Sequence, residues 1–248
     1  MTPLIRLFLL HLAGNAALFA LGYYWLGVGE SNAANLTLSA ALILLILSGA
    51  ALLHGAAFAY FRNGNQDLLG GILRNPLGRF LPLVVLAAIA ITLYFAAEYW
   101  NPVTTDRINR TASYLTLNFQ TPVRPTTIER IFNAIWWIVE WALIPLLLLP
   151  AASGVAAQGW YGFTEFGTRL KNRSQWLMIP ALLTVSIWLP FWLMAWKPQM
   201  SSFNTELVSL AARFGFAYLL FVTGSLLLAF VASRGKPVVS QASTAVSP

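Results

Sequence analysis

Six long runs of apolar positions, separated by short polar stretches, organise this chain: Leu4–Val28, Leu36–Phe61, Phe80–Trp100, Ile131–Ala157, Trp176–Trp196 and Leu207–Ser233. Each holds 21 to 27 residues, and crossing a hydrocarbon core of ~30 Å takes ~20 helical residues. None alternates with the two-residue period of a barrel strand. In the absence of water the backbone polar groups of each run must be satisfied internally, which a helix achieves. The pattern therefore predicts an all-α integral membrane bundle of six transmembrane helices, forming a single domain over residues 1–236. The first run carries Arg6 near its start, as a secretory signal would, but the apolar stretch after it exceeds the usual ~7–15 residues of such a segment. It ends on Tyr23, Tyr24 and Trp25 instead of a small-residue cleavage site, so it is expected to stay as the first span.

The connections are short. Six spans place both termini on one side, and the basic residues choose that side, because loops rich in Lys and Arg stay in the cytoplasm. With the N-terminus inside, the inner segments hold Arg6, Arg62, Arg74, Arg79, Arg169, Lys171, Arg173, Arg234 and Lys236, against Arg107, Arg110, Arg124, Arg130 and Lys197 outside. The expected topology is N-in/C-in. In the first of the two larger inner loops Leu68, Leu69, Ile72 and Leu73 fall at helical spacing beside Arg74 and Arg79. Short interfacial amphipathic helices are expected in both loops. The outer loop 101–129 is too short for an independent domain. Its Tyr114–Phe119 stretch alternates in a β-prone way between Pro102 and Pro122, and is expected to rest its aromatic side chains on the interface. The tail 237–248 is small, polar and without periodicity, and is expected to be disordered.

Composition agrees with this solvent. Hydrophobic residues make up 58% and charged residues 9% of the chain, whereas a soluble domain carries about 25% charged residues. The net charge of +7 is scattered over short loops, which fits topology and attraction to anionic lipid headgroups at the inner loops, and argues against nucleic acid as a partner. The absence of cysteine removes disulfides, thiolate metal sites and cysteine nucleophiles together.

One regularity runs along the chain. Residues 64–102 and 161–198 align at a shift of 97, with Gly70, Leu73, Arg74 and Asn75 on Gly167, Leu170, Lys171 and Asn172, and with Pro82 near Pro180. This is either a parallel duplication or the shared character of two basic, glycine-containing inner loops. Small residues close the preceding spans, Ala56, Ala57 and Ala59 in one case and Gly154, Ala156 and Ala157 in the other. Span end, loop glycine, basic patch and following span together resemble bacterial multi-pass membrane proteins, among them the membrane domain that accompanies some glycerophosphodiester phosphodiesterases. The resemblance covers roughly residues 48–198. It implies a membrane-domain fold and carries no catalytic residues, because the phosphodiesterase chemistry of those proteins sits in a separate soluble domain.

Within the spans, polar residues are the places to look for function, since a charge at the bilayer centre costs ~2.5 kcal/mol or more and is normally paired or faces a cavity. His11, His54, Asn15, Glu140 and Arg213 stand out. His11 and His54 lie at matching depth in spans joined by a short turn, and a hydrogen-bonded pair is the expectation. The alternative is ligation of a single b-type haem. Asn15, one turn from His11, would orient it. Glu140 and Arg213 both enter from the outer side at similar depth, which predicts an ion pair between spans four and six, with snorkelling of Arg213 or a gate as alternatives. Ala51, Gly55 and Ala59 form a small-xxx-small face for close helix approach. Pro145, Pro150 and Pro190 predict kinks.

No catalytic carboxylate pair, nucleophile or metal set emerges, and no cofactor is expected. Two function classes follow. The first is a non-enzymatic integral membrane protein of a cell membrane, bacterial inner membrane by preference, with an envelope or partner-assisting role and a membrane-protein partner or a second copy of itself as associate. The alternative is a small solute or lipid transporter with Glu140 and Arg213 in its permeation or gating region.

Overall fold

The computed structural model describes residues 2–29, 31–63, 76–101, 103–168, 170–198 and 202–234. Among them every regular element is helical. Helices α1 (Pro3–Leu26) and α2 (Ala33–Asn63) are followed by a π turn at Pro76–Phe80 that leads into α3 (Leu81–Trp100). Next come α4 (Thr105–Phe119) and α5 (Pro125–Ile138), which continues through a π turn, Val139–Leu143, into α6 (Ile144–Gln158) and a 3-10 turn, Gly159–Glu165. Helix α7 (Arg173–Leu183) passes through a third π turn, Thr184–Trp188, into α8 (Leu189–Ala195), and α9 (Phe203–Ser233) closes the chain. Six of the resulting stretches are long and apolar enough to cross a membrane: Pro3–Leu26, Ala33–Arg62, Gly78–Trp100, Pro125–Glu165, Arg173–Ala195 and Phe203–Ser233. The six-span expectation for the fold is met.

The three π turns share a sequence cause. Each is followed, after one residue, by a proline: Pro82, Pro145 and Pro190. Proline has no N–H and its ring clashes with the carbonyl four residues earlier. Inserting one residue into the turn widens it and relieves that clash, as π bulges do. Pro180 sits instead inside regular helix. Pro82 and Pro180, one step off the 97-residue shift, therefore occupy different local backbones.

The outer loop departs from expectation. Tyr114–Phe119 is not extended but forms the last turns of α4. Ile108 and Ala112, one turn apart, pack with Leu115 against Ile128 and Phe132 of α5, so burial of a helical stripe overrides the local β propensity. Arg110 pairs with Asp106 one turn earlier. Gln120 then stops the helix in the left-handed region at φ 53°.

The remaining loop expectations divide. The second inner loop is a 3-10 turn folded back on α6, and the amide of Gly167 donates to the carbonyl of Leu147 at 3.2 Å. The stripe Leu68–Leu73 and the tail 237–248 lie outside the described residues.

Helices α1 and α2 run antiparallel. Gly14 faces Leu53, Gly49 faces Leu18, and Trp25 Nε1 donates to Ser39 Oγ at 2.7 Å. Leu7 of α1 and Ala229 of α9 share one buried cluster with Ala57 and Tyr60, so both ends of the described chain lie at the same end of the bundle, here the terminal end. Burial concentrates there. Helix α6 is covered almost throughout, from Ile144 to Ala157, and the predicted small residues Ala56, Ala59 and Ala156 form one cluster with Ala151, Leu83 and Leu86. A Cβ on Gly55 would meet Leu83 at 2.6 Å, which places the small-xxx-small face of α2 against α3. Close van der Waals packing of this kind holds helices together where lipid removes the hydrophobic drive.

The far end is open. On one stripe of α9, Val222, Leu226 and Ala229 are buried, whereas Val208, Ala211 and Gly215, on the same face by helical period, are exposed.

Candidate functional site

The antiparallel register of α1 and α2 brings the two histidines together, as their depth predicted. Ring centroids lie 5.7 Å apart at 67°, an edge-to-face contact. His11 is fully buried, and its Nδ1 donates to the carbonyl of Leu7 at 3.1 Å, which leaves Nε2 as the bare nitrogen of the neutral ring. That nitrogen has no hydrogen-bond partner among the described residues. Asn15 does not orient the ring: its Nδ2 donates to the backbone carbonyl of His11 at 2.8 Å. The haem alternative does not fit either, because direct ring contact leaves no slot for a porphyrin between the two imidazoles. No group of three His, Cys, Asp or Glu side chains that could hold a metal occurs among the described residues.

The expected Glu140–Arg213 ion pair is not formed. Arg213 turns to the C-terminal end of α8, donating through Nη1 to the carbonyl of Leu193 at 3.3 Å and to that of Trp196, while Nε reaches the carbonyl of Ser209. Its guanidinium lies 5.9 Å from the Trp196 ring centroid, and Trp196 ends a ladder of stacked indoles with Trp192 and Trp188. A cation at a helix C-terminus compensates the unsatisfied carbonyls there. Glu140 faces elsewhere. It lines a cleft of about 620 Å³ with Glu98, Tyr94 and Leu183. The π turn also explains the contact beside it: five residues after Glu140 stands Pro145, which has no N–H to donate, and the Tyr94 hydroxyl supplies the donor to the Glu140 carbonyl at 3.1 Å.

An ion pair that links α2 to the 3-10 turn at the terminal end was not singled out by the sequence. Arg62, at the terminal end of α2, donates through both Nη atoms to the Glu165 carboxylate, a bidentate pair with an Nη1–Oε2 distance of 2.7 Å. Nη1 also reaches Ser153 Oγ at 3.4 Å; Ser153 donates to Ser233 Oγ at 3.1 Å, and Ser233 to the Phe58 carbonyl at 3.3 Å. This chain ties α2, α6, the 3-10 turn and α9 together. The available signal was Glu165 itself, an acid in a segment where Arg and Lys dominate.

Between α1, α8 and α9, in the open half, lies a cleft of about 760 Å³ lined almost wholly by apolar side chains, Phe19, Tyr23, Phe191, Met194 and Phe214 among them. Its inner limit is Ser186, fully buried and packed on Gly224, where a Cβ would stand 2.1 Å from that of Ser186. The Ser186 hydroxyl has no hydrogen-bond partner among the described residues.

Neither a known protein family, nor a curated protein, nor a solved structure matches this chain.

Proposed function

We propose that this chain is a non-enzymatic membrane protein of a cell membrane, the bacterial inner membrane by preference, oriented N-in/C-in, which serves the envelope by holding a lipid chain in its lateral cleft. The observation that carries the reading is the contrast along the bundle: one end is closed by the Arg62–Glu165–Ser153–Ser233 chain and by small-residue packing, while the other end opens sideways into an apolar cleft between α1, α8 and α9. A concave apolar site of ~300–1,000 Å³ is the usual size for a small-molecule ligand. Placed in a bilayer, this one takes hydrocarbon. The orientation rests on the Arg and Lys asymmetry of the loops. The transporter alternative loses its main support, because Glu140 and Arg213 face different partners and share no gate.

The test is lipid retention. Protein reconstituted with phosphatidylcholine alone and then exchanged extensively into detergent is expected to keep one phospholipid per chain in native mass spectra. Ala20→Phe, which fills the cleft from an exposed position on its wall, is expected to lose it. Equal retention by both proteins would count against a chain-binding cleft.

A further inference from the structure

Two basic residues adjoin the upper end of the cleft along the chain, Arg213 before Phe214 and Lys197 after Met194. On α9, Arg213 is followed by Phe214, Ala217, Tyr218 and Phe221, all on the cleft wall, so the helix backbone descends ~12 Å from Arg213 to Phe221 at ~1.5 Å per residue. On the opposite wall, Met194 and Phe191 lead up to Trp196 and the exposed Lys197. The guanidinium is held over Trp196 by the carbonyls of Leu193, Trp196 and Ser209, which engage Nε and Nη1 and leave Nη2 without an acceptor among the described residues. No carboxylate pairs with Arg213 or Lys197 among the described residues. Beside the upper end of the apolar slot, one residue before Phe214 on α9, there is therefore a fixed cation whose Nη2 and charge are met by no acid among the described residues.

From this arrangement we infer that the occupant is an anionic phospholipid, with one acyl chain in the cleft and its phosphate beside Arg213 Nη2 and Lys197. The inference rests on the lipid-holding function proposed above and specifies its ligand. Carbonyl oxygens orient a guanidinium but carry no net charge, so the cation keeps its attraction for an anion. A guanidinium presents planar paired donors that match phosphate oxygens. A neutral or zwitterionic headgroup satisfies the same donors without supplying net negative charge. The slot fixes depth, and the cation selects the headgroup.

The experiment offers equimolar phosphatidylglycerol and phosphatidylcholine to the full chain in detergent and counts the adducts by native mass spectrometry. The wild-type protein is expected to keep phosphatidylglycerol over phosphatidylcholine by roughly tenfold, the scale of one charge-assisted contact. Arg213→Lys should keep most of that preference, and the double variant Arg213→Gln, Lys197→Gln should bring it close to parity while one lipid is still retained. Because Arg213 also caps α8, the wild-type comparison is repeated at high salt, which screens exposed charge; the preference should fall there without any substitution. Parity in the wild-type protein, or a preference that survives the double Gln variant, overturns the headgroup assignment and leaves the acyl-chain reading standing. Loss of retention only in Ala20→Phe supports that reading alone.

Discussion

Glu165→Gln is expected to lower the stability of the purified protein by about 3 kcal/mol or more, the usual cost of removing one partner from a buried ion pair. The pair is largely withdrawn from solvent, with the Arg62 side chain 10% and the Glu165 side chain 25% exposed. An amide at position 165 accepts through one oxygen instead of two and leaves the guanidinium charge uncompensated beside Ser153. The desolvation already spent on Arg62 is then unrecovered, and the loss exceeds that of a single neutral hydrogen bond, ~1 kcal/mol. Combining the change with Arg62→Met should restore much of the loss, because both charges then leave together. Denaturant unfolding in mixed micelles, followed across the four members of the cycle, measures this. Strictly additive losses would mean that the pair does not hold the terminal end.

Gly162→Ala is expected to be as damaging, for a steric reason. A Cβ there would lie 2.0 Å from the Val155 nitrogen and 2.1 Å from the Gly154 carbonyl carbon. Both are backbone atoms of α6, so no rotamer change relieves the overlap and the 3-10 turn must separate from the helix. Overpacking ordinarily costs ~1–3 kcal/mol; with backbone on both sides, the upper end of that range or beyond is expected. Separation of the turn would also draw Glu165 from Arg62. Gly22→Ala is the control. Nothing lies within 4 Å of its added Cβ, and replacing a helical glycine is expected to add about 0.5–1 kcal/mol of stability. Equal, small effects at both positions would contradict the close approach of turn and helix.

What the sequence disclosed and what it concealed divide along a physical line. Position along the bilayer normal is legible, because hydrophobic length and helical rise fix it. The His11–His54 contact follows from depth plus a short turn that forces α1 and α2 into a hairpin. Rotation about each helix axis is not legible in the same way. Glu140 and Arg213 were matched in depth, yet Glu140 lines a cleft beside Tyr94 while Arg213 turns to the end of α8, because their helices present different faces there. The same ambiguity hid the Arg62–Glu165 pair, whose partners are 103 residues apart and were divided between a span end and a loop.

Local chemistry was legible in part. Pro145 and Pro190 marked breaks correctly, but the π turns before them free particular carbonyls, and only the fold shows that Tyr94 fills one. Tyr114–Phe119 misled because alternation and a helical stripe coincide over six residues, and packing against Ile128 decides between them.

Helix α9 runs from the open far end of the bundle to its closed terminal end, and one of its faces reports both. The chain has no cysteine, so each introduced cysteine carries the only spin label. Labels at Val208, Ala211, Gly215, Val222, Leu226 and Ala229 all fall on one helix face, and their collision rates with dissolved oxygen in reconstituted bilayers report contact with lipid. High oxygen accessibility is expected at the first three positions and a sharp fall at the last three. Uniformly low accessibility along the whole face would contradict an open far end.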